Sequence, residues 1–366
     1  MQRRHLLLAS ALAATSPVLP LVAPRAARAA APAAGPLKIG FIYSGPVADV
    51  GWSYQHDLGR KMVEKEFGDK VKTVFVEKVP EGPDAERVMR QLIDDGCQMI
   101  FATSFGFMDP TAKVAADYPE IAFEHCSGYK TAANLGIYQT RFYEGAYLLG
   151  VLAGKRTKSN TLGYVAPFPI PEVIRNLDAF VLGARSVNPK VSAKVVWINS
   201  WYDPPKERDA AQALIDQGAD VMYQNTDSPA IVQLAQGKGL WAFGQDSDMT
   251  RFGPTAHLSA NTLNWGVYYV HKVRQKLAGQ WKAEDTKWGM KEGIVQLAPL
   301  GPSVPKEAIP LFEEKKAAIL AGKFHPFTGP LADQSGKQRL AAAQTLPESE
   351  LWTMKWYVDG VVGKQP

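Results

Sequence analysis

The chain has 366 residues, of which 46% are hydrophobic, 21% charged and 10% aromatic. This composition excludes a disordered or fibrous protein and supplies enough apolar surface for about two packed domains. Beyond the N-terminal region no apolar run reaches the roughly 18–20 residues that a membrane-spanning helix requires, so an integral membrane protein is not expected.

The first 29 residues have the three parts of a secretory signal peptide. An arginine pair at positions 3–4 precedes an apolar run at 6–23, and Ala-Arg-Ala at 27–29 forms a small-residue cleavage pattern. The arginine pair also resembles a twin-arginine export signal. We therefore expect residues 1–29 to be removed and the mature protein to be periplasmic. A lipid anchor is not expected, because neither cysteine lies at the cleavage point.

The net charge of the mature protein excludes one class of partner. Removal of residues 1–29 takes away four arginines and no acidic residue, so the formal charge falls from +5 to +1. A nearly neutral protein lacks the positive field that binding to nucleic acid or to an anionic membrane requires. We therefore expect no nucleic-acid partner.

The two cysteines are expected to be free. Cys97 begins an apolar run at 97–103, whereas Cys126 ends the run at 121–126. In neighbouring parallel strands the two positions would be about five residues apart, at roughly 3.3 Å per residue. That separation exceeds the roughly 7 Å between Cα atoms that a disulfide can span, so two buried free thiols are predicted.

From residue 37 onward, short β-rich runs alternate with amphipathic helical stretches. The helical pattern is clearest at 84–96 and 206–218, where apolar residues recur at helical spacing before a glycine. This alternation predicts an α/β fold in which parallel sheets are covered by helices. The ten strand-like runs lie at 37–43, 72–77, 98–103, 121–124, 135–139, 161–165, 193–199, 220–224, 240–243 and 257–261.

Five strand–helix units followed by five more predict two doubly wound parallel-sheet lobes joined by three crossovers. We expect the crossovers at 157–160, near 252–257 and within 281–293. Lobe 1 then comprises 37–157 and about 256–281, and lobe 2 comprises 158–255 and about 282–330. Prolines interrupt the chain after about 296, where a helix is predicted at 305–321. Residues 331–366 are interpreted as a C-terminal extension with a closing strand at 352–358.

Ligands of open α/β sheets bind beyond the carboxyl ends of the strands, so the residues that follow the predicted strands are candidates for a site. Five of these ends combine aromatic or small residues with a carboxylate. Aromatic rings can stack on a flat heterocycle, and carboxylates can accept hydrogen bonds from its N–H groups. Each aspartate could instead only cap a helix, but the shared mixture favours a ligand site. The candidate ligand-binding residues are Asp49, Trp52, Ser104, Phe105, Asp109, Trp201, Asp227, Asp246 and Asp248.

Motifs for catalysis, cofactors and metals are missing from the sequence. No G-x-G-x-x-G follows the first strand, no G-x-S-x-G occurs, and the histidines and cysteines lack metal-ligand spacing. His125 and Cys126 are adjacent on a strand and would point to opposite faces. Asp246 and Asp248 supply far fewer than the roughly 6–8 oxygens that calcium takes. We therefore predict a binding protein with no catalytic residues, no metal and no cofactor.

Six motifs lie in order between about 37 and 335: GP…DVGWSYQHD at 45–57, SFGFMDP at 104–110, FYEG at 142–145, NSWYDP at 199–204, GQDSD at 244–248 and WGMKEG at 288–293. Together they resemble the basic membrane protein (BMP) family of substrate-binding proteins, which includes purine nucleoside receptors. The resemblance implies a type I periplasmic-binding-protein fold. It implies a monomer that captures a purine and delivers it to the permease subunits of an ABC importer.

The resemblance also implies roles for particular residues. Trp52 and Trp201 would sandwich the purine, Asp109 would read the edge of the base, and Asp246 or Asp248 would close over the ligand. Members that bind nucleosides carry an asparagine after the first-loop aromatic and a lysine after the last crossover strand. This chain has Ser53 at the first position and no lysine at 261–265.

These departures favour a bare purine base, with adenine as the leading candidate and Trp265 in the space of the sugar. A purine nucleoside receptor of the same fold is the alternative. A ligand sensor, or a nucleoside-processing enzyme that uses Asp246 and Asp248, are the remaining hypotheses.

Overall fold

The computed structural model of the protein describes residues 35–364, so the predicted signal peptide at 1–29 lies outside the described residues. The strands are β1 (Leu37–Ile42), β2 (Val71–Val76), β3 (Met99–Ala102), β4 (Ala122–Cys126), β5 (Leu135–Thr140), β6 (Thr161–Ala166), β7 (Ser192–Trp197), β8 (Val221–Gln224), β9 (Trp241–Asp246), β10 (His257–Leu263), β11 (Asp285–Trp288), β12 (Val295–Leu297), β13 (Leu331–Ala332), β14 (Gln338–Leu340) and β15 (Val361–Val362). The helices are α1 (Trp52–Phe67), α2 (Pro83–Asp94), α3 (Met108–Asp117), α4 (Tyr143–Arg156), α5 (Pro171–Val187), α6 (Pro204–Asp216), α7 (Ala230–Lys238), α8 (Trp265–Leu277), α9 (Ile309–Leu320) and α10 (Glu348–Leu351). Short 3-10 turns lie at Gly68–Lys70, Phe105–Phe107, Thr250–Phe252 and Lys306–Ala308.

Two sheets form the centres of the two lobes. The sheet of lobe 1 has the strand order β2-β1-β3-β4-β5-β11, and the sheet of lobe 2 has the order β15-β7-β6-β8-β9-β10-β12. All neighbouring strands in both sheets are parallel except β10 and β12. Each of the ten predicted strands is present, and the prediction of two doubly wound α/β lobes is confirmed.

The shared strand order determines where a cleft can form. In lobe 1 β1 lies between β2 and β3, and in lobe 2 β6 lies between β7 and β8. In each lobe the strand that follows the central strand in sequence lies on one side of it, and the next strand lies on the other side. The loops at the carboxyl ends therefore diverge and leave a crevice between them. The loops after β1, β3, β6 and β8 are consequently expected to line a ligand site.

The chain crosses between the lobes three times, and two crossings differ from the predictions. Helix α4 packs against α5 and β10 of lobe 2, so the first crossing lies between β5 and α4 rather than at 157–160. Strand β10 pairs with β9, so the second crossing lies between β10 and α8 rather than near 252–257. The third lies between β11 and β12. The expected lobe boundaries at 157, 256 and 281 are therefore corrected to about 141, 264 and 289.

Burial explains why the pattern of apolar residues assigned these two elements incorrectly. Twelve of the 14 residues of α4 are buried, so this helix has no polar face to mark its solvent side. Six of the seven residues of β10 are also buried, and such a strand fits the interior of either sheet. Hydrophobic periodicity shows which face of an element packs on a lobe only when the opposite face of that element is exposed to water.

The C-terminal extension attaches to lobe 2. Strand β15 pairs with β7, and the guanidinium of Arg185 on α5 donates to Asp359 at 2.9 Å. The predicted strand at 352–358 is wrong, because its backbone bonds go to loop partners instead of a strand ladder. The amide of Val358 donates to the carboxyl of Asp178, and the carbonyl of Tyr357 accepts from the backbone amide of Gln334 in the turn after β13.

Both cysteines are free and buried, as predicted. Burial raises the pKa of the Cys97 thiol to about 11, so this thiol stays protonated at neutral pH. Among the helices at 35–364, none combines the length and the hydropathy that crossing a membrane would require.

Helices α4 and α5 cross so closely that their contact positions must be glycine. A Cβ added at Gly150 would lie 2.0 Å from the carbonyl oxygen of Phe180, and one at Gly183 would lie 2.0 Å from the carbonyl oxygen of Tyr147. The obstacle is backbone in both cases, so neither helix can yield by changing a rotamer. This contact links the first helix after the lobe crossing to the body of lobe 2.

We expect Gly150→Ala to lower the free energy of unfolding by about 1–3 kcal/mol, because the added methyl group overpacks the helix crossing. Chemical denaturation followed by circular dichroism measures the change. Gly237→Ala is the control, because Gly237 lies inside α7 and a methyl group there meets nothing within 4 Å. Helix propensity predicts that this control is neutral or stabilising by about 0.5–1 kcal/mol. Equal destabilisation by the two variants would contradict the helix-crossing argument.

Candidate functional site

A cavity of about 390 Å³, its open mouth included, lies between the lobes at the carboxyl ends of the strands. Lobe 1 lines it with the loops after β1, β3 and β4, and lobe 2 with the loops after β6, β7 and β8 and the end of β9. This is the crevice that the strand order predicts. The lining residues are Ser44, Trp52, Ser104, Phe105, Ser127, Ile170, Glu172, Trp201, Asn225, Asp227 and Asp246.

The indole ring of Trp52 is fixed by its neighbours in lobe 1. Its Nε1 donates to the carbonyl of Thr103 at 2.6 Å. Trp265 and His56 contact the ring edge to face, with centroid distances of 5.1 and 4.7 Å. A ring held in this way loses little rotational freedom when a ligand stacks on it, which favours binding. From lobe 2, Trp201 adds a second indole to the lining.

Three carboxyl groups line the cavity, and none of them forms an ion pair with any residue at 35–364. Glu172, Asp227 and Asp246 are all buried. Burial is the largest cause that raises the pKa of each carboxyl, and repulsion between Asp227 and Asp246 raises that of Asp246 further. The carboxyl of Glu207 has the same effect on Asp227. A ligand that donates hydrogen bonds to these carboxyls would supply the partner that the described residues do not provide.

Hydrogen bonds within the lining orient its polar groups. Ser127 of lobe 1 donates from Oγ to Glu172 of lobe 2 at 2.7 Å. The side-chain oxygen of Asn225 accepts from the hydroxyl of Tyr164 at 2.8 Å and from the amide of Asn176 at 3.0 Å. With that oxygen satisfied, the Asn225 amide nitrogen is left to donate. The cavity therefore offers both donors and acceptors to a ligand.

The loop before α1 reaches from lobe 1 to lobe 2 and holds the cavity closed. The backbone amide of Gly51 and the side-chain amide of Gln55 both donate to Ser247 Oγ, at 3.0 and 2.9 Å. Val50 is buried in the apolar cluster beside α6 and α7 of lobe 2. We refer to Val50, Gly51 and Gln55 of lobe 1 with Ser247 of lobe 2 as the latch.

Gly51 is required in the latch because the backbones of the two lobes meet there. Its φ is +95°, and an added Cβ would lie 2.6 Å from the carbonyl oxygen of Asp227. A side chain at this position would be strained by the positive φ and would also keep the lobes apart. Since Asp227 also lines the cavity, closure of the latch and placement of this carboxyl occur together.

The structure brings six of the nine predicted site residues to the cavity: Trp52, Ser104, Phe105, Trp201, Asp227 and Asp246. It does not bring Asp49, Asp109 or Asp248 there. Asp109 lies in the first turn of α3, where its side chain is 74% exposed and pairs with Lys130 at 2.7 Å. Its predicted role at the edge of the base is therefore corrected.

The other two predicted aspartates also have local partners. The carboxylate of Asp248 accepts from the backbone amide of Thr250 at 2.9 Å and so caps a turn. Asp49 pairs across the lobes with Arg251 at 2.9 Å, with its side chain 80% exposed. Trp265 is buried behind Trp52 and does not line the cavity, so the prediction that it occupies the space of a sugar is wrong.

Sequence reasoning missed five lining residues: Ser44, Ser127, Ile170, Glu172 and Asn225. Ser44 and Asn225 belong to strand ends at which aromatic and acidic neighbours give the stronger signal for a ligand site. The other three follow β4 and β6, whose ends carry no obvious pairing of an aromatic residue with a carboxylate. Inspection of every strand end, whatever its composition, would have found them.

Metal coordination is not indicated by the described part of the chain. No group of three or more His, Cys, Asp and Glu side chains at 35–364 could hold a metal ion. The arrangement of the cavity is that of a site for a small organic ligand with planar and hydrogen-bonding surfaces.

Comparisons with known proteins place these features in a family. A family model described as an ABC transporter substrate-binding protein, PnrA-like, matches residues 37–321. A purine-binding protein of Brucella abortus is 49% identical over 330 residues, which cover 90% of this chain and 94% of that protein. A putative ABC transporter glucose-binding protein of Haloferax volcanii is 38% identical, with 89% and 80% covered. A solved solute-binding protein of an ABC transporter from Aeropyrum pernix K1 shares the fold, with a TM-score of 0.69 and 20% identity over 79% of this chain and 93% of that one.

We expect Gly51→Ala to weaken binding of adenine, the ligand that the sequence favours, at least tenfold, because the methyl group meets lobe 2 and opposes closure. Isothermal titration calorimetry measures the affinity. Gly82→Ala is a matched control, because Gly82 also precedes a helix and has a φ of +96° but has nothing within 4 Å. It carries similar backbone strain without the contact between lobes. The same loss of affinity in both variants would contradict the role of the latch.

Proposed function

The chain belongs to the family of PnrA-like ABC transporter substrate-binding proteins, and we propose that it captures a purine base between its lobes and delivers it to the permease of an ABC importer. Family membership confirms the expectation of a binding protein rather than an enzyme. Adenine is the ligand that we favour. The mature protein would act as a periplasmic monomer after export directed by residues 1–29.

The observation that carries this proposal is the combination of aromatic rings and buried carboxyls in one cavity. Trp52 of lobe 1 and Trp201 of lobe 2 supply flat surfaces, and stacking of a base on an aromatic side chain contributes about 1–3 kcal/mol. Asp227 and Asp246 can accept hydrogen bonds from ring N–H and exocyclic amino groups. The amide of Asn225 can donate to a ring nitrogen. A purine has complementary groups for all of these, and the 49% identical relative is named a purine-binding protein.

Two features of the lining support a base rather than a nucleoside. No lysine or arginine is among the described residues that line the cavity. Ser53, the position where nucleoside-binding relatives are expected to carry asparagine, is buried and accepts from the backbone amide of Gly45 at 3.3 Å. Neither position that the resemblance connects to ribose recognition therefore offers a group to a sugar.

We expect calorimetry on ligand-stripped protein to give the highest affinity with adenine among adenine, guanine, hypoxanthine, adenosine and glucose. Trp52→Ala should weaken this binding roughly 5- to 150-fold through lost stacking. Trp241→Ala is the control, because Trp241 lies outside the cavity and packs on Arg156. Tighter binding of adenosine than of adenine would make the protein a nucleoside receptor. Binding of glucose without any purine would overturn the proposal.

We also expect binding of the base to release protons at neutral pH. In the empty cavity, burial raises the pKa of both Asp227 and Asp246; the Glu207 carboxyl raises that of Asp227 further, and the Asp227 carboxyl raises that of Asp246. A ligand N–H that donates to these carboxyls favours their ionised form and lowers the pKa, so affinity should rise with pH across the neutral range. Calorimetry in buffers of different ionisation enthalpy counts the protons. Asp227→Asn should abolish most of the release, and Asp109→Asn should preserve it. Proton uptake would mean that a protonated carboxyl donates to the ligand instead.

A further inference from the structure

A second chamber of about 510 Å³, its open mouth included, adjoins the cavity on the side of β5 and β11. The C-terminal extension forms part of its wall through Trp352 and Thr353. This part of the chain lies beyond residue 321, where the match to the family model ends. The chamber and the cavity share four lining residues, Phe105, Ser127, Ile170 and Glu172, so a group in the chamber would be next to a base in the cavity.

Arg175 on α5 lines the chamber and is only 1% exposed. Its Nη1 donates to the carbonyl of Leu351 at 3.1 Å, and the ring of Trp352 lies 4.3 Å from its guanidinium carbon. Its Nε and Nη2 have no hydrogen-bond partner at 35–364, and the side chain forms no ion pair there. Buried donors without partners are costly, so a ligand atom that accepts from them would stabilise the complex.

The two unpartnered nitrogens lie on one edge of the guanidinium plane. The N–H groups of Nε and Nη2 are nearly parallel, and this edge matches the two oxygens of a carboxylate or phosphate. The third nitrogen is already used by Leu351, which fixes the plane. Arg175 therefore has two adjacent donors without described partners in a fixed guanidinium plane before any ligand binds.

The charges around the chamber are compatible with an anion. Lys287 also lines it, paired with Asp285 at 2.6 Å. Glu172 is the acidic residue at the junction with the cavity. Burial raises its pKa more than the charge of Arg175 and the hydrogen bond from Ser127 lower it, which favours its neutral form. Ser127 donates to this carboxyl and orients it.

We propose that the chamber is a subsite for an anionic group with two or more oxygens, a carboxylate or a phosphate, held by the Nε and Nη2 edge of Arg175. The group is either part of the captured ligand, as in a purine nucleoside monophosphate, or a separate small anion bound beside the base. The inference rests on the proposed purine site in the adjoining cavity.

Calorimetry on the wild-type protein distinguishes the two sources. Adenine is titrated with and without inorganic phosphate, and adenosine is compared with adenosine 5′-monophosphate. A gain in adenine affinity of at least tenfold with phosphate supports a separate anion. Binding of the monophosphate at least tenfold more tightly than adenosine supports an attached group. If the wild-type protein shows neither gain, the subsite is overturned, whatever the variants show.

Arg175→Met, which keeps much of the volume but removes the donors, should abolish the observed gain. Arg185→Met is the matched control, because Arg185 lies on the same helix and bonds Asp359 of the extension but does not line the chamber. A gain that survives Arg175→Met in folded protein overturns the proposal. Adenine binding without any anion effect overturns only the subsite, whereas absence of binding by every purine overturns the proposed function and the subsite together.

Discussion

Three buried carboxyl groups without an ion-pair partner among the described residues are the constraint on which this site depends. Removal of a carboxylate from water costs several kcal/mol unless a partner compensates it, and no described residue forms an ion pair with Glu172, Asp227 or Asp246. Residues of lobe 1 help to position these groups of lobe 2. Ser127 donates a hydrogen bond to Glu172, and Gly51 packs against the backbone of Asp227. The carboxyls are therefore shielded from water only when the lobes are together. A ligand that supplies donors to them binds the closed form better than the open form, which is the thermodynamic requirement for ligand-driven closure.

Much of the fold could be predicted from the sequence because its signals are local. Strand-like runs and amphipathic helices identify a doubly wound sheet, and the rule about carboxyl ends then points to Trp52, Trp201, Asp227 and Asp246. The same rule gives the edge of the sheet at which a residue lies but not the direction of its side chain. The side chain of Asp109 faces solvent, where it pairs with Lys130 beside the first turn of α3.

The remaining errors arise where burial is complete. Helix α4 is apolar on nearly every side and strand β10 is buried on both faces, so no hydrophobic periodicity in either element tells which lobe it belongs to. The location of Trp265 could not be predicted for a similar reason, because an aromatic ring suits a ligand site or a core equally well. The structure places it behind Trp52, where it stabilises the ring that lines the cavity. Only the three-dimensional packing distinguishes these uses of the same residue type.

The strand order of the two sheets has a consequence for the biosynthesis of the protein. The edge strand β11 of lobe 1 is made only after five of the seven strands of the lobe 2 sheet, and β15 of lobe 2 is among the last residues described. Until β11 arrives, β5 remains an unpaired sheet edge, and such edges favour aggregation of incomplete chains. Lobe 1 therefore cannot be completed as an independent unit during translation. The two lobes must mature together, late and through contacts of long sequence separation, which predisposes the chain to slow folding and to dependence on chaperones.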